Sequence, residues 1–139
     1  MSEDQKPAIV KERYKNSFEN FLGVEFKAYK DGFCEICLQI KPEHLNIGNA
    51  VHGGVITSLC DIALSGAVTS NFPTGAEAVV TMQMNVYFLR PGKADDKLTA
   101  FGKVHKVGKT IYHVEGGVRN SEDELIAKAD GNWFIKRKP

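Results

Sequence analysis

The first segment with a clear pattern is residues 8–22. Apolar side chains fall at Val10, Tyr14, Phe18 and Phe21-Leu22 with Lys and Glu between them, and Gly23 follows as a C-cap. That spacing predicts a short amphipathic helix, or else an N-terminal arm. Val24 to Tyr29 and Phe33 to Ile40 then read as two strands joined by Asp31-Gly32, a strong hairpin signal. In the second strand Cys34, Ile36, Leu38 and Ile40 share a face. Residues 41–53 are polar and turn-rich. From Val55 to Ser70 the apolar positions cover most of a helix circumference, which marks a buried helix about 24 Å long. Its only polar stripe is Thr57, Ser58, Asp61 and Ser65.

Everything after Pro73 reads as strand. Ala78, Val80, Met82, Met84, Val86 and Phe88 alternate on one face, with Thr81, Gln83 and Asn85 on the other. Arg90-Pro91-Gly92-Lys93 ends that strand, and Leu98, Ala100 and Val104 mark the next. Val107-Gly108-Lys109 turns into Thr110 to Arg119, where Gly116-Gly117 predicts a bulge. Ser121 to Asp123 turns the chain into Leu125 to Ile135. One apolar helix and six mostly hairpin-connected strands specify an α+β domain, an antiparallel sheet curled around a central helix. The regular polar face of the Thr81 strand and the open sheet edges call for cover, which a homo-oligomer supplies.

Composition narrows the function classes. At 139 residues the chain is expected to be one domain, with residues 1–22 as its N-terminal helix or arm. Hydrophobic residues make up 42% and charged residues 25%, ordinary for a globular protein. With 18 Lys and Arg against 17 Asp and Glu the formal net charge is +1, which removes the global argument for nucleic acid. Three cysteines argue against a disulfide framework. The polar start Met1 to Pro7 opens no secretory signal, and no apolar run approaches a membrane span. The expectation is a cytoplasmic protein that does not act on membranes. Cys34-x-x-Cys37 has metal-ligand spacing, but residues three apart on a strand point to opposite faces and no second pair completes a site.

Asp61 is the residue that most needs explaining. It sits mid-helix, so it cannot be an N-cap, and its neighbours predict burial, where an unpaired carboxylate costs several kcal/mol. Either a cleft serves it and it is used, or it is solvated and bonded by Thr57, Ser58 or Ser65. Nine residues upstream, His52-Gly53-Gly54 opens the same helix. Such glycines either make a tight entry turn or let a ligand reach the first unpaired N–H groups at the positive end of the dipole, an oxyanion site. Gly53 and Asp61 are about 12 Å apart along the helix, so one subunit cannot put both on one carbonyl. A symmetric dimer can.

The segment Asn46-Ile47-Gly48-Asn49-Ala50-Val51-His52-Gly53-Gly54 followed by Asp61 resembles the hot dog fold acyl-CoA thioesterases. It is most similar to the group containing the phenylacetate-pathway and 4-hydroxybenzoyl-CoA thioesterases. The resemblance continues through Val79 to Asn85, Arg90-Pro91-Gly92-Lys93 and Val107-Gly108-Lys109-Thr110, and so covers about residues 40–135. It implies a curved antiparallel sheet around a long helix, dimers joined edge to edge, frequent tetramers, and active sites at the dimer interface. It implies that Asp61 is nucleophile or general base. On the same resemblance, the Gly53 N–H is expected to polarise the thioester carbonyl, Asn46 to hold the thioester or the attacking water, and Thr81 to orient the acid or the water. His52 is assigned to loop positioning. No metal or separate cofactor is expected, coenzyme A being part of the substrate.

Six basic residues lie between 90 and 109, namely Arg90, Lys93, Lys97, Lys103, Lys106 and Lys109, against two acids. They read as a local basic patch or as an ordinary solvated hairpin. The resemblance lays Lys106, Gly108, Lys109 and Thr110 along the nucleotide of coenzyme A, and Arg90 is a further phosphate candidate. Two other readings compete with thioester hydrolysis. One is a hot dog dehydratase or hydratase, which the His-Gly-Gly start with an acid nine residues on disfavours. The other is a non-catalytic acyl-CoA binding module, for which residues 1–22 are too short and acidic to add a DNA-binding segment.

Overall fold

The computed structural model describes residues 8–139, with side chains from Glu12 onward. The polar start Met1 to Pro7 lies outside the described residues. The chain forms α1 (Ala8–Lys15), α2 (Phe18–Leu22), β1 (Glu25–Lys30) and β2 (Phe33–Gln39). A short 3-10 turn (Pro42–His44), α3 (Gly53–Thr69), β3 (Ala76–Phe88), β4 (Lys97–Val107), β5 (Ile111–Arg119) and β6 (Leu125–Arg137) follow. The strands make one sheet in the order β1-β2-β4-β5-β6-β3, and every neighbouring pair is antiparallel. α3 touches all six strands. Six strands span about 24 Å across while a helix is about 10 Å wide, so the sheet must curl around the helix to do this.

The core is the interface between α3 and the concave face of that sheet. Leu59, Cys60, Ala63, Leu64, Ala67 and Val68 of α3 meet Cys34, Ile36, Leu38, Leu98, Ala100, Val114, Val118, Trp133 and Ile135, all but excluded from solvent. The β1–β2 hairpin turns at Asp31 and Gly32 with φ 51° and 85°, the double positive φ of a type I′ turn. Burial from apolar surroundings pushes the Cys34 and Cys60 thiols up to about 12. Cys37 points to the opposite face, where its thiol meets Glu25. Among the described residues no helix is long and apolar enough to cross a membrane.

Four expectations change. The N-terminal segment is two helices rather than one: Ser17 caps α2 by accepting from the Asn20 N–H, and Gly23 closes it at φ 93°. Tyr14 bonds the Val24 carbonyl and Leu22 is buried, but Phe18 and Phe21 stack on each other facing outward. Gly116 and Gly117 pair with Gly102 and Phe101 without a register shift, so they form no bulge. Their role is close approach: a Cβ on Gly116 would lie 1.9 Å from the Phe101 carbonyl oxygen. The bulge that matters is in β3, between Thr81 and Gln83. Before it Val79 and Thr81 share the inner face, opposite Ile135 and Trp133. After it Met84 and Val86 take the inner positions, and Val80 and Met82 are left exposed. Thr81 therefore does not lie on the face of Gln83 and Asn85, because one extra residue inverts the alternation.

Candidate active site

The start of α3 is a capped helix with one free donor. His52 is the N-cap, and its Nδ1 accepts the Gly54 N–H at 2.7 Å. Its carbonyl accepts from Val55 and Ile56 at 2.9 and 3.2 Å. Gly54 is therefore not available to a ligand, contrary to a pair of free glycine donors. The Gly53 N–H has no partner among the described residues and faces outward at the positive end of the helix dipole. The Phe88 ring borders it, 3.6 Å from where a Gly53 Cβ would stand.

The loop before the helix is held from both sides. His52 N–H donates to the His44 carbonyl and Val51 N–H to the Gly92 carbonyl, both at 2.9 Å. Ala50 bridges to Lys93 and Leu45 to Val51. The Arg90-Pro91-Gly92-Lys93 turn is thus a brace for the His52-Gly53 loop. His44 is buried, its Nδ1 accepting the Lys41 N–H at 3.0 Å while Nε2 meets the Leu22 carbonyl at 2.9 Å. Asn46 folds its Oδ1 into the loop, accepting from Gly48 and Ala50 at 2.9 and 3.1 Å. Two N–H donors fix that atom as the oxygen, so the Asn46 amide group left over is its NH2, a pure donor.

Two turns further along α3, Asp61 is half-buried, not buried as the apolar helix predicts. Its stripe faces β3, an edge strand that leaves that side of the helix open. The Thr81 hydroxyl donates to Asp61 Oδ1 at 2.8 Å. The Ser65 hydroxyl approaches the same oxygen at 3.4 Å, and Ser65 Oγ accepts the Trp133 indole N–H at 2.8 Å. Asp61 Oδ2 has no partner among the described residues. Ser65 is legible in the sequence as part of the polar stripe. Trp133 carries no sequence signal beyond being the single tryptophan.

Thr81 and Asp61 come together within one chain, while Asn46 lies in the loop that leads to His52 and Gly53. The two groups stay apart, since eight helical residues separate Gly53 from Asp61, about 12 Å. The six basic residues do not form one patch. Arg90 sits at the β6 start, bonded to the Leu125 carbonyl at 3.0 Å and paired with Glu124 at 3.6 Å. That pairing, with the Asn120 amide as the larger cause, lowers the Glu124 carboxyl below its ordinary value. The Lys106–Thr110 turn is pinned to the other end of β6, where Ile135 N–H meets the Thr110 carbonyl at 2.7 Å and Arg137 the Lys109 carbonyl at 3.1 Å. Ten strand residues separate the two ends, roughly 30 Å. Lys106 and Lys109 are exposed and form no ion pair among the described residues.

A half-buried carboxylate and a helix N-terminal amide without a partner among the described residues thus lie on the one helix that the sheet wraps. The thioesterase superfamily model matches residues 48–127, and the chain belongs to that family. It is 32% identical over 108 residues to the acyl-coenzyme A thioesterase PaaI of Escherichia coli, covering 76% of this chain and 73% of that protein. The structure of the E. coli PaaI protein from the phenylacetic acid degradation operon superposes with a TM-score of 0.82 at 27% identity, over 91% of this chain and 90% of that one. A thioesterase protein of Streptococcus pneumoniae, solved with coenzyme A, superposes with a TM-score of 0.77 at 28% identity, over 85% and 92% of the two chains. The fold is the hot dog fold and the enzyme class is thioester hydrolase.

Proposed function

We propose that the protein hydrolyses an acyl-CoA thioester to the free acid and coenzyme A, at sites shared between two copies of the chain. The observation that carries this reading is the separation of two complementary half-sites on one rigid helix. One end offers an unpaired Gly53 N–H; the middle offers a carboxylate with one oxygen held and one free. β3 is a 13-residue edge strand bearing Thr81, and its unpaired side favours docking against a second copy. An antiparallel two-fold pairing there carries Asp61 of one copy toward the helix start of the other. The relatives named for acyl-CoA cleavage and the coenzyme A-bound neighbour support the substrate class.

In this reading the thioester carbonyl oxygen rests on the Gly53 N–H of the partner subunit, with the Asn46 NH2 as a second donor to the thioester or to water. Asp61 Oδ2 either takes a proton from water as the water attacks the carbonyl carbon, or attacks that carbon itself. Negative charge then gathers on the carbonyl oxygen, where the amide and the helix dipole stabilise it. Collapse breaks the C–S bond and expels coenzyme A thiolate. If Asp61 is the nucleophile, water next cleaves the mixed anhydride. No cofactor takes part. Lys106 and Lys109 bind phosphates of coenzyme A beside the backbone of Gly108 and Thr110. Arg90, tied to Glu124 at the far end, serves the same nucleotide only from the other subunit. The test is a panel of aromatic, short, medium and long acyl-CoA thioesters with released thiol as readout; turnover of none of them overturns the reading. Single turnover in oxygen-18 water then separates the two routes: label appearing in Asp61 marks the anhydride.

A further inference from the structure

The hydroxyls of α3 and its C-cap behave in two ways. Ser58 turns back onto the Gly54 carbonyl at 2.7 Å, Thr69 onto Gly66 at 3.2 Å and Ser70 onto Ala67 at 2.8 Å, the usual local bonding of helix hydroxyls. Ser65 departs from this. Its oxygen accepts the Trp133 indole N–H at 2.8 Å, and its own hydroxyl points to Asp61 Oδ1 at 3.4 Å. Trp133 is fully buried, so its one N–H needs a partner, and Ser65 is that partner. Trp133 also lies directly opposite Thr81 in the β3–β6 pairing, so one cross-strand pair supplies one donor to Oδ1, the Thr81 hydroxyl, and the indole that holds the other donor, Ser65.

We propose that Trp133 and Ser65 are positioning residues for the Asp61 carboxylate. This rests on the thioesterase reading above. A carboxylate on a short side chain rotates readily about its last torsion, which exchanges the two oxygens. With the Ser65 oxygen fixed as an acceptor by the indole, its proton has Oδ1 as its target. Thr81 supplies a second donor to the same atom. The doubly bonded oxygen is locked, and Oδ2 is presented to substrate. At 3.4 Å the Ser65 contact is long for a hydroxyl–carboxylate bond, so the 2.8 Å Thr81 bond is the firmer of the two.

Four variants test this: Ser65→Ala, Trp133→Phe, the double Ser65→Ala/Trp133→Phe, and Ser65→Thr, each assayed for kcat, KM and thermal midpoint on the best thioester of the panel. Ser65→Ala should lower kcat roughly tenfold to a hundredfold with KM unchanged. It should also lower the melting temperature, because the indole N–H loses its partner. The double variant has no indole N–H to strand, so its melting temperature should recover while kcat stays low. Ser65→Thr should restore kcat. Asp61→Asn should shift the emission of Trp133, the single tryptophan, relative to the wild type. Wild-type kcat in Ser65→Ala, or its return in the double variant, overturns the relay and leaves the thioesterase reading standing. A wild-type protein that releases no thiol from any thioester overturns both.

Discussion

Asp61 carries one engaged oxygen and one free one, and the difference decides what a single atom change does. Asp61→Asn preserves the Thr81 contact at Oδ1 but replaces the free Oδ2 by an NH2 that can neither accept a proton nor attack carbon. The expected outcome is an unchanged circular dichroism spectrum and a fall in kcat of roughly 10²–10⁴, read by thiol release. The three thiols give a different prediction. Cys34 and Cys60, held up to about 12 by burial, stay protonated at neutral pH and should resist iodoacetamide until the protein unfolds. The sign for stability follows from the same shift. The folded values lie above the ordinary 9.0, so stability is intact below pH 9 and is lost between 9 and 12, where only the unfolded chain ionises. Each of the two thiols should lower stability by roughly 1 kcal/mol per pH unit in that window, measurable by urea melts at pH 8, 9 and 10.

At the scale of elements, the Lys106–Thr110 turn is an exposed loop pinned to β6, carrying two lysines that form no ion pair among the described residues. Lys106→Glu/Lys109→Glu should raise KM for acyl-CoA by roughly threefold to tenfold at low salt while leaving kcat unchanged. A thioester of the same acyl group on N-acetylcysteamine, which has no nucleotide, should show no such change. The β3 bulge is the element that sequence alternation misreads. Period-two counting carries Thr81 onto the face of Gln83 and Asn85, whereas one extra residue after it puts Thr81 on the face of Val79, Met84 and Val86. No residue type at 81–83 announces that insertion, because it is set by how β3 and β6 fit around the helix. The brace formed by Arg90-Pro91-Gly92-Lys93 is similarly hidden, since it acts through the Gly92 carbonyl.

For the whole molecule, the reading needs two copies. Mixing Asp61→Ala subunits with Asn46→Asp subunits tests it. Asn46→Asp keeps the oxygen that closes the loop and replaces the NH2 donor by a second, negatively charged carboxylate oxygen. Each homodimer is inactive, but a mixed dimer holds one site with both residues intact. After equal mixing and exchange, about a quarter of wild-type activity should return. No recovery, with mixed dimers demonstrated by native mass spectrometry, would remove the shared site.

By itself the sequence determined the elements and their chemistry. The period of the apolar residues sets helix or strand, Asp31-Gly32 sets the first hairpin, and the largely apolar Val55–Ser70 segment has to be wrapped by the sheet. It also singled out Asp61, because an acid in such a helix stands against its surroundings. Tertiary structure alone decided which face Thr81 takes and that Trp133 reaches Ser65 from 68 residues away. It also decided that the basic residues part to opposite ends of the sheet. These depend on distances between segments far apart in the chain, which residue type and local spacing do not encode.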